Sequence, residues 1–236
     1  MTMMHKGTFD DLLPRMADEL DLPHESGYTG HTNTPYPSHS IYKYLRNWNL
    51  CNNNDFQNIG VNGGDSGNTM GNIQALNRGK DDFPLLMFLE LIGNDVCKKS
   101  FDSMRKPADF KVNVLKLLDY LDNKVPAGSH LVILGLGDGD LLYDNLHDSI
   151  HPLGVTYSDV YDFLNCLNIS PCWGWLNSND TVREFTTKRA QNLSLVYKEI
   201  IAEKQYKNFD MVYYDFPAME ILERKVLEGG DPKTMI

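Results

Sequence analysis

A three-layer, doubly wound α/β domain built on a mostly parallel sheet is the fold this sequence predicts, and three observations predict it. Four apolar runs of strand length recur, at residues 56–61, 84–91, 130–136 and 209–216. The second and third are almost continuously hydrophobic, as strands covered on both faces must be. Between the runs lie segments with the helical period, at about residues 69–77, 107–123 and 181–204, the clearest stripe being Phe110, Val114, Leu117, Leu118 and Leu121. Strand and helix therefore alternate, which is the pattern of parallel βαβ units.

Local signals support the individual elements. Pro107 suits the first turn of a helix, where its missing N–H costs nothing. Gly128, just ahead of the third run, suits a helix-to-strand turn. Residues 8–22 read as an amphipathic helix, and residues 23–40 are rich in Pro, Gly, Ser, Thr and His, with no buried strand before Asp55. The chain is accordingly divided into an N-terminal segment, 1–50, and an α/β domain, 51–236. No internal repeat or low-complexity tract is present.

The 236 residues, 42% of them hydrophobic, are enough to bury a core, and a formal net charge of -10 offers no basic cluster for the phosphates of a nucleic acid. No apolar run reaches the roughly 20 residues that span a bilayer, so no transmembrane segment is expected. The first residues also lack the apolar centre of a secretion signal. Cys51, Cys97, Cys166 and Cys172 occur beside three Asn-x-Ser/Thr sequons at Asn168, Asn179 and Asn192. That combination fits an oxidising, glycosylating compartment, and equally chance sequons with free thiols. No CxxC pair or Cys/His cluster has zinc spacing.

Gly93-Asn94-Asp95 directly follows an apolar strand, which places Asn94 at the carboxyl edge of the sheet, where open α/β folds bind ligands. Its amide can donate to an oxyanion; the blander alternative is a turn that caps the next segment. The preceding strand-like run ends in Asn62-Gly63-Gly64-Asp65-Ser66, where glycine backbone N–H groups can meet a negative atom.

These two blocks resemble the glycine and asparagine blocks of SGNH (GDSL-type) hydrolases. Tyr42-x-x-Leu45, Cys51-Asn52, Gln57-Asn58-Ile59, Ile92-Gly93-Asn94-Asp95-Val96-Cys97, Asp144-Asn145-Leu146-His147, His151-Pro152-Leu153-Gly154, Phe163-Leu164-Asn165-Cys166 and Ser170-Pro171-Cys172 extend the resemblance over nearly the whole chain, to the catalytic subunit of acyloxyacyl hydrolases. The resemblance implies a flavodoxin-like SGNH fold and a serine esterase that removes secondary acyl chains from the lipid A of bacterial lipopolysaccharide. It implies Gly63 and Asn94 as oxyanion donors, no cofactor beyond calcium held outside these residues, a saposin-like lipid-binding subunit as partner, and a secreted or lysosomal address.

Gly64-Asp65-Ser66 also spells a serine block, and Asp148-Ser149-Ile150-His151-Pro152 an Asp-x-x-His block. Under that alternative Ser66 attacks, His151 is the general base and Asp148 orients it. Topology favours a different arrangement, because in the family pattern the serine follows the first strand and the glycine block the second. Ser66 stands in the glycine block, and His151 precedes the last strand instead of following it. The expectation is therefore a partial domain that lacks its first central strand, with the serine block upstream of Met1 and the Asp-x-x-His block beyond Ile236. Such a chain is expected to be unstable alone and inactive, or a non-catalytic lipid-binding product. Cys51 with Cys97 and Cys166 with Cys172 are the expected disulfides. Trp173 and Trp175 are candidates for an acyl pocket or for core, and the loop of Asp138 and Asp140 for a cleft border, since it has too few oxygens for a calcium loop.

Overall fold

Three parallel strands, β1 (Leu86–Leu89), β2 (Ser129–Leu134) and β3 (Phe209–Tyr214), form a sheet in that order in a computed structural model that describes residues 23–32, 39–136 and 138–231. Leu86 pairs with His130 across the first interface and Ser129 with Phe209 across the second. The helices are α1 (Ile41–Trp48), α2 (Thr69–Ile73), α3 (Ile92–Val96), α4 (Pro107–Lys124), α5 (Leu141–Leu146), α6 (Tyr157–Cys166), α7 (Asp180–Glu203) and α8 (Ala218–Leu227). Parallel strands need long crossovers, and α3 and α4 fill the first while α5, α6 and α7 fill the second.

The architecture is the predicted α/β one, a parallel sheet flanked by helices. Helix α4 opens on Pro107 and buries Phe110, Val114, Leu117, Leu118 and Leu121, the predicted stripe. It packs on α7, which also contacts β3 and buries Ala190, Leu193, Val196, Tyr197 and Ile200. The Phe110 and Tyr197 rings meet edge to face at 5.0 Å. On the sheet, Leu131, Ile133 and Phe209 are buried, each large apolar side chain contributing about 1.5–3 kcal/mol. His130, Asp210, Val212 and Tyr214 on the alternate positions are exposed. Gly128 takes φ +82° in the turn before β2, a conformation open to glycine.

The chain divides into two units, one of the residues up to Gly64 with Met70–Asn77, the other of Asp65–Thr69 with Arg78 onward. The first unit corrects one expectation. Residues 56–61 are not a strand, since among the described residues no neighbouring strand pairs with them. Their side chains are used locally instead. The Phe56 ring packs tilted against Tyr42 at 4.4 Å, Asn58 donates to Thr29 Oγ1 at 2.8 Å, and Gln57 brackets the following segment through Ala75 O and the Asn77 N–H, both at 2.9 Å. Helix α2 ends at Ile73, short of the expected residue 77. The helix expected at 8–22 lies outside the described residues. Among the described residues no helix is long and apolar enough to cross a membrane.

Candidate functional site

The carboxyl ends of β1, β2 and β3 lead into the segments that carry Asn94, Asp138 with Asp140, and Asp215. Strand β1 passes through Glu90 and Leu91 straight into α3. A helix of five residues has too few hydrogen bonds to be stable by itself. Its side chains hold it instead, since Ile92, Asp95 and Val96 are all completely buried. Asn94 lies between them, half-buried, its N–H on Leu91 O at 3.1 Å. Cys97 caps the helix by donating its N–H to Gly93 O at 2.8 Å. Gly63, in the other unit, has φ +70°, a conformation that favours glycine.

Asp95 is the centre of a buried polar network. Its Oδ2 accepts the Ser66 backbone N–H at 2.9 Å, and its Oδ1 accepts the Ser66 hydroxyl at 2.7 Å and Arg105 Nε at 3.0 Å. Asn113 Nδ2 donates to Ser66 Oγ at 3.3 Å. Asp65 completes the brace, with Lys98 Nζ at 2.6 Å and Arg105 Nη2 at 3.3 Å, and its Oδ1 accepts the Gly67 N–H at 2.8 Å. Burial raises the Asp95 carboxyl above the ordinary range, although the Ser66 and Arg105 hydrogen bonds pull against it. For Asp65 the balance reverses. Burial opposes its charge, but Lys98, the Gly67 N–H and Arg105 outweigh that and hold the carboxyl low.

The structure thus gives Ser66 to Asp95. The serine is buried and its proton points at a carboxylate already shared with a guanidinium. His151 is also buried, in a tight loop where its N–H meets Val155 O at 2.8 Å. Its Nδ1 accepts the Leu153 N–H at 3.1 Å, and Tyr157 meets the ring edge on at 4.8 Å. An accepting Nδ1 assigns the proton of the neutral ring to Nε2. Burial lowers the pKa of this imidazole. Asp148 is exposed in the turn after α5.

The segment after β2 is fixed by Arg183 and Trp175. Arg183 is buried, with Nε 2.6 Å from Asp140 Oδ1 in an ion pair whose N–H is not aimed along a hydrogen bond. It also pairs with Asp180, donates to Asn177 O at 2.7 Å and lies 4.1 Å over the Tyr143 ring. Burial pushes the Asp140 carboxyl up to about 6, against Arg183 and helped by Asp138 and Asp144. Asp138 Oδ1 accepts the Asp140 N–H and the Thr187 hydroxyl, and Thr187 in turn accepts Trp175 Nε1 at 2.9 Å. Trp175 is therefore core, while Trp173 is half-buried and packs edge to face on Phe101. Among the described residues no group of three or more His, Cys, Asp or Glu is placed to hold a metal ion.

The cysteines pair differently from the expectation. Cys97 bonds to Cys172, and Cys51 and Cys166 are free and exposed. Nearness in sequence misled, because Cys166 ends α6 on an exposed position while Cys172 is buried.

No family model matches the chain. Among curated proteins it is similar to the acyloxyacyl hydrolase of Homo sapiens, 40% identical over 246 residues that cover 100% of this chain and 43% of that protein. The acyloxyacyl hydrolases of Oryctolagus cuniculus and Mus musculus are each 39% identical, again over 100% of this chain and 43% of their own length. The chain thus spans less than half the length of the curated relatives it matches.

Proposed function

Because the chain belongs to the acyloxyacyl hydrolase family, we propose that it supplies the oxyanion-binding side of a serine ester hydrolase that releases secondary acyl chains from the lipid A of bacterial lipopolysaccharide. The observation that carries this reading is the position of Asn94, on a side-chain-anchored helix separated from β1 by only Glu90 and Leu91, at the carboxyl edge of a parallel sheet.

Attack on an ester carbonyl moves negative charge onto its oxygen. A donor already in place there, in a site with little water, stabilises that charge without reorganising, and one such donor is worth about 10²–10³ in kcat. Asn94 takes this role. Gly63 enters as a second donor through the motif resemblance alone, and its positive φ is compatible with a turn that presents backbone N–H groups.

Ser66 is unsuited to be the nucleophile, since its hydroxyl already donates to Asp95 and not to an imidazole. We assign the nucleophile and its base to residues other than Ser66, Asp148 and His151. The same reading takes acylated lipid as substrate, a saposin-like lipid-binding partner, and a secreted or lysosomal address.

The test is product identity. The natural polypeptide that carries this sequence is incubated with lipopolysaccharide, and released fatty acids are identified by mass spectrometry. Loss of only those chains esterified to hydroxyacyl groups is expected. Release of primary chains, or of no chain, overturns the proposal.

A further inference from the structure

We propose that Asp95 is a positioning residue for Asn94 and that Ser66 is the partner that holds it, an inference that rests on the functional reading above. Helix α3 is a single turn and cannot orient itself. Adjacent helical residues are separated by about 100° around the axis, so whatever fixes the azimuth of Asp95 fixes that of Asn94 as well.

Asp95 is fixed from three directions. Ser66 grips both carboxylate oxygens, through its N–H at 2.9 Å and its hydroxyl at 2.7 Å, and Arg105 Nε binds Oδ1 at 3.0 Å. The Asp95 carbonyl also accepts the Arg105 N–H, at 2.9 Å. Asp65 closes the frame, its carboxylate pairing with Lys98, three residues beyond Asp95, and with Arg105. A fully buried carboxylate is a poor source of stability, since an apolar side chain of similar volume often serves as well. What the charge adds is direction. Two hydrogen bonds from one residue to two oxygens define a plane, which packing alone does not.

The test uses the natural polypeptide that carries this sequence and follows fatty-acid release from lipopolysaccharide for the parent, Asn94→Ala, Asp95→Asn, Ser66→Ala, the Asp95→Asn/Ser66→Ala double variant and Val114→Ala. Asp95→Asn and Ser66→Ala are each expected to lower kcat about 10- to 100-fold with KM little changed, because a misplaced donor is still bound past by substrate. The double variant is expected to lose no more than the worse single one, both having broken the same linkage. Val114→Ala removes core methyl groups from α4, so it is expected to lower Tm and leave kcat alone.

Parent-level kcat in folded Asp95→Asn and Ser66→Ala overturns the inference, as does a kcat loss that follows Tm equally in Val114→Ala. Where Asp95→Asn does not fold, Ser66→Ala decides in the same way. An active parent that responds to Asn94→Ala and not to Asp95→Asn or Ser66→Ala removes only the positioning role. A parent without release overturns the functional reading and the positioning role with it.

Discussion

Cys97 and Cys172, 75 residues apart in sequence, are joined by a disulfide that fastens the carboxyl end of α3 to the segment ahead of α7. Closing a loop of that length removes conformational freedom from the unfolded chain, worth about 4 kcal/mol in the chain-entropy account. Peptide mapping without reduction is expected to link Cys97 to Cys172, and reduction to lower Tm by several degrees. A peptide joining Cys166 to Cys172 would contradict the pairing.

The carboxyl of Asp140 gives the segment after β2 a pH dependence. Its folded pKa, about 6, lies above the value of about 4 for a free Asp, so folding favours the protonated form. The resulting stabilisation is complete below about pH 4 and is lost as the pH rises through about 6, by at most about 3 kcal/mol. Asp140→Asn keeps the uncharged shape and does not titrate. Between pH 4 and 6.5 the parent Tm is expected to fall relative to that of Asp140→Asn, whereas parallel curves would show that Asp140 does not titrate in this window.

Ser66→Ala separates a structural serine from a nucleophile. The substitution leaves buried Asp95 one donor short, which costs about 1–3 kcal/mol of stability. Any fluorophosphonate labelling of the natural polypeptide is expected to persist, at a lower rate, in this variant. Labelling abolished by Ser66→Ala would make Ser66 the nucleophile after all.

Gly139 allows Trp175 to reach its place in the core. A Cβ at that position would collide with the indole ring, which is buried and hydrogen-bonded to Thr187. Gly139→Ala is expected to destabilise by about 1–3 kcal/mol, the range for forcing extra volume into a packed site. Chemical denaturation reads this directly, and an unchanged midpoint would mean that the loop yields freely.

The three strands and the two long helices were legible in the sequence because burial on a sheet or along a helix stripe leaves a period in the residues themselves. The runs at 84–91, 130–136 and 209–216 became β1, β2 and β3, and Pro107 opens α4 as its chemistry requires. The run at 56–61 carries Gln57, Asn58 and Gly60 among its apolar residues and has no strand beside it among the described residues, and a ladder cannot be read from one side. The short helices α1, α5, α6 and α8 lack room for a repeated stripe; in the structure Ser40 caps α1 and a Thr156–Asp159 capping box opens α6. At the candidate site, the place of Asn94 just beyond β1 was legible because its motif follows an apolar strand. The partners of its neighbours were not. Ser66 meets Asp95 across 29 positions and Arg105 meets Asp65 across 40, and no periodicity spans such distances.

The role of Asn94 is tested most directly by steady-state release of fatty acid from lipopolysaccharide, comparing the natural polypeptide that carries this sequence with its Asn94→Ala variant. If Asn94 donates to the oxyanion, kcat falls about 10²- to 10³-fold while KM stays close to the parent value. An Asn94→Ala variant that keeps the parent kcat would contradict the assignment.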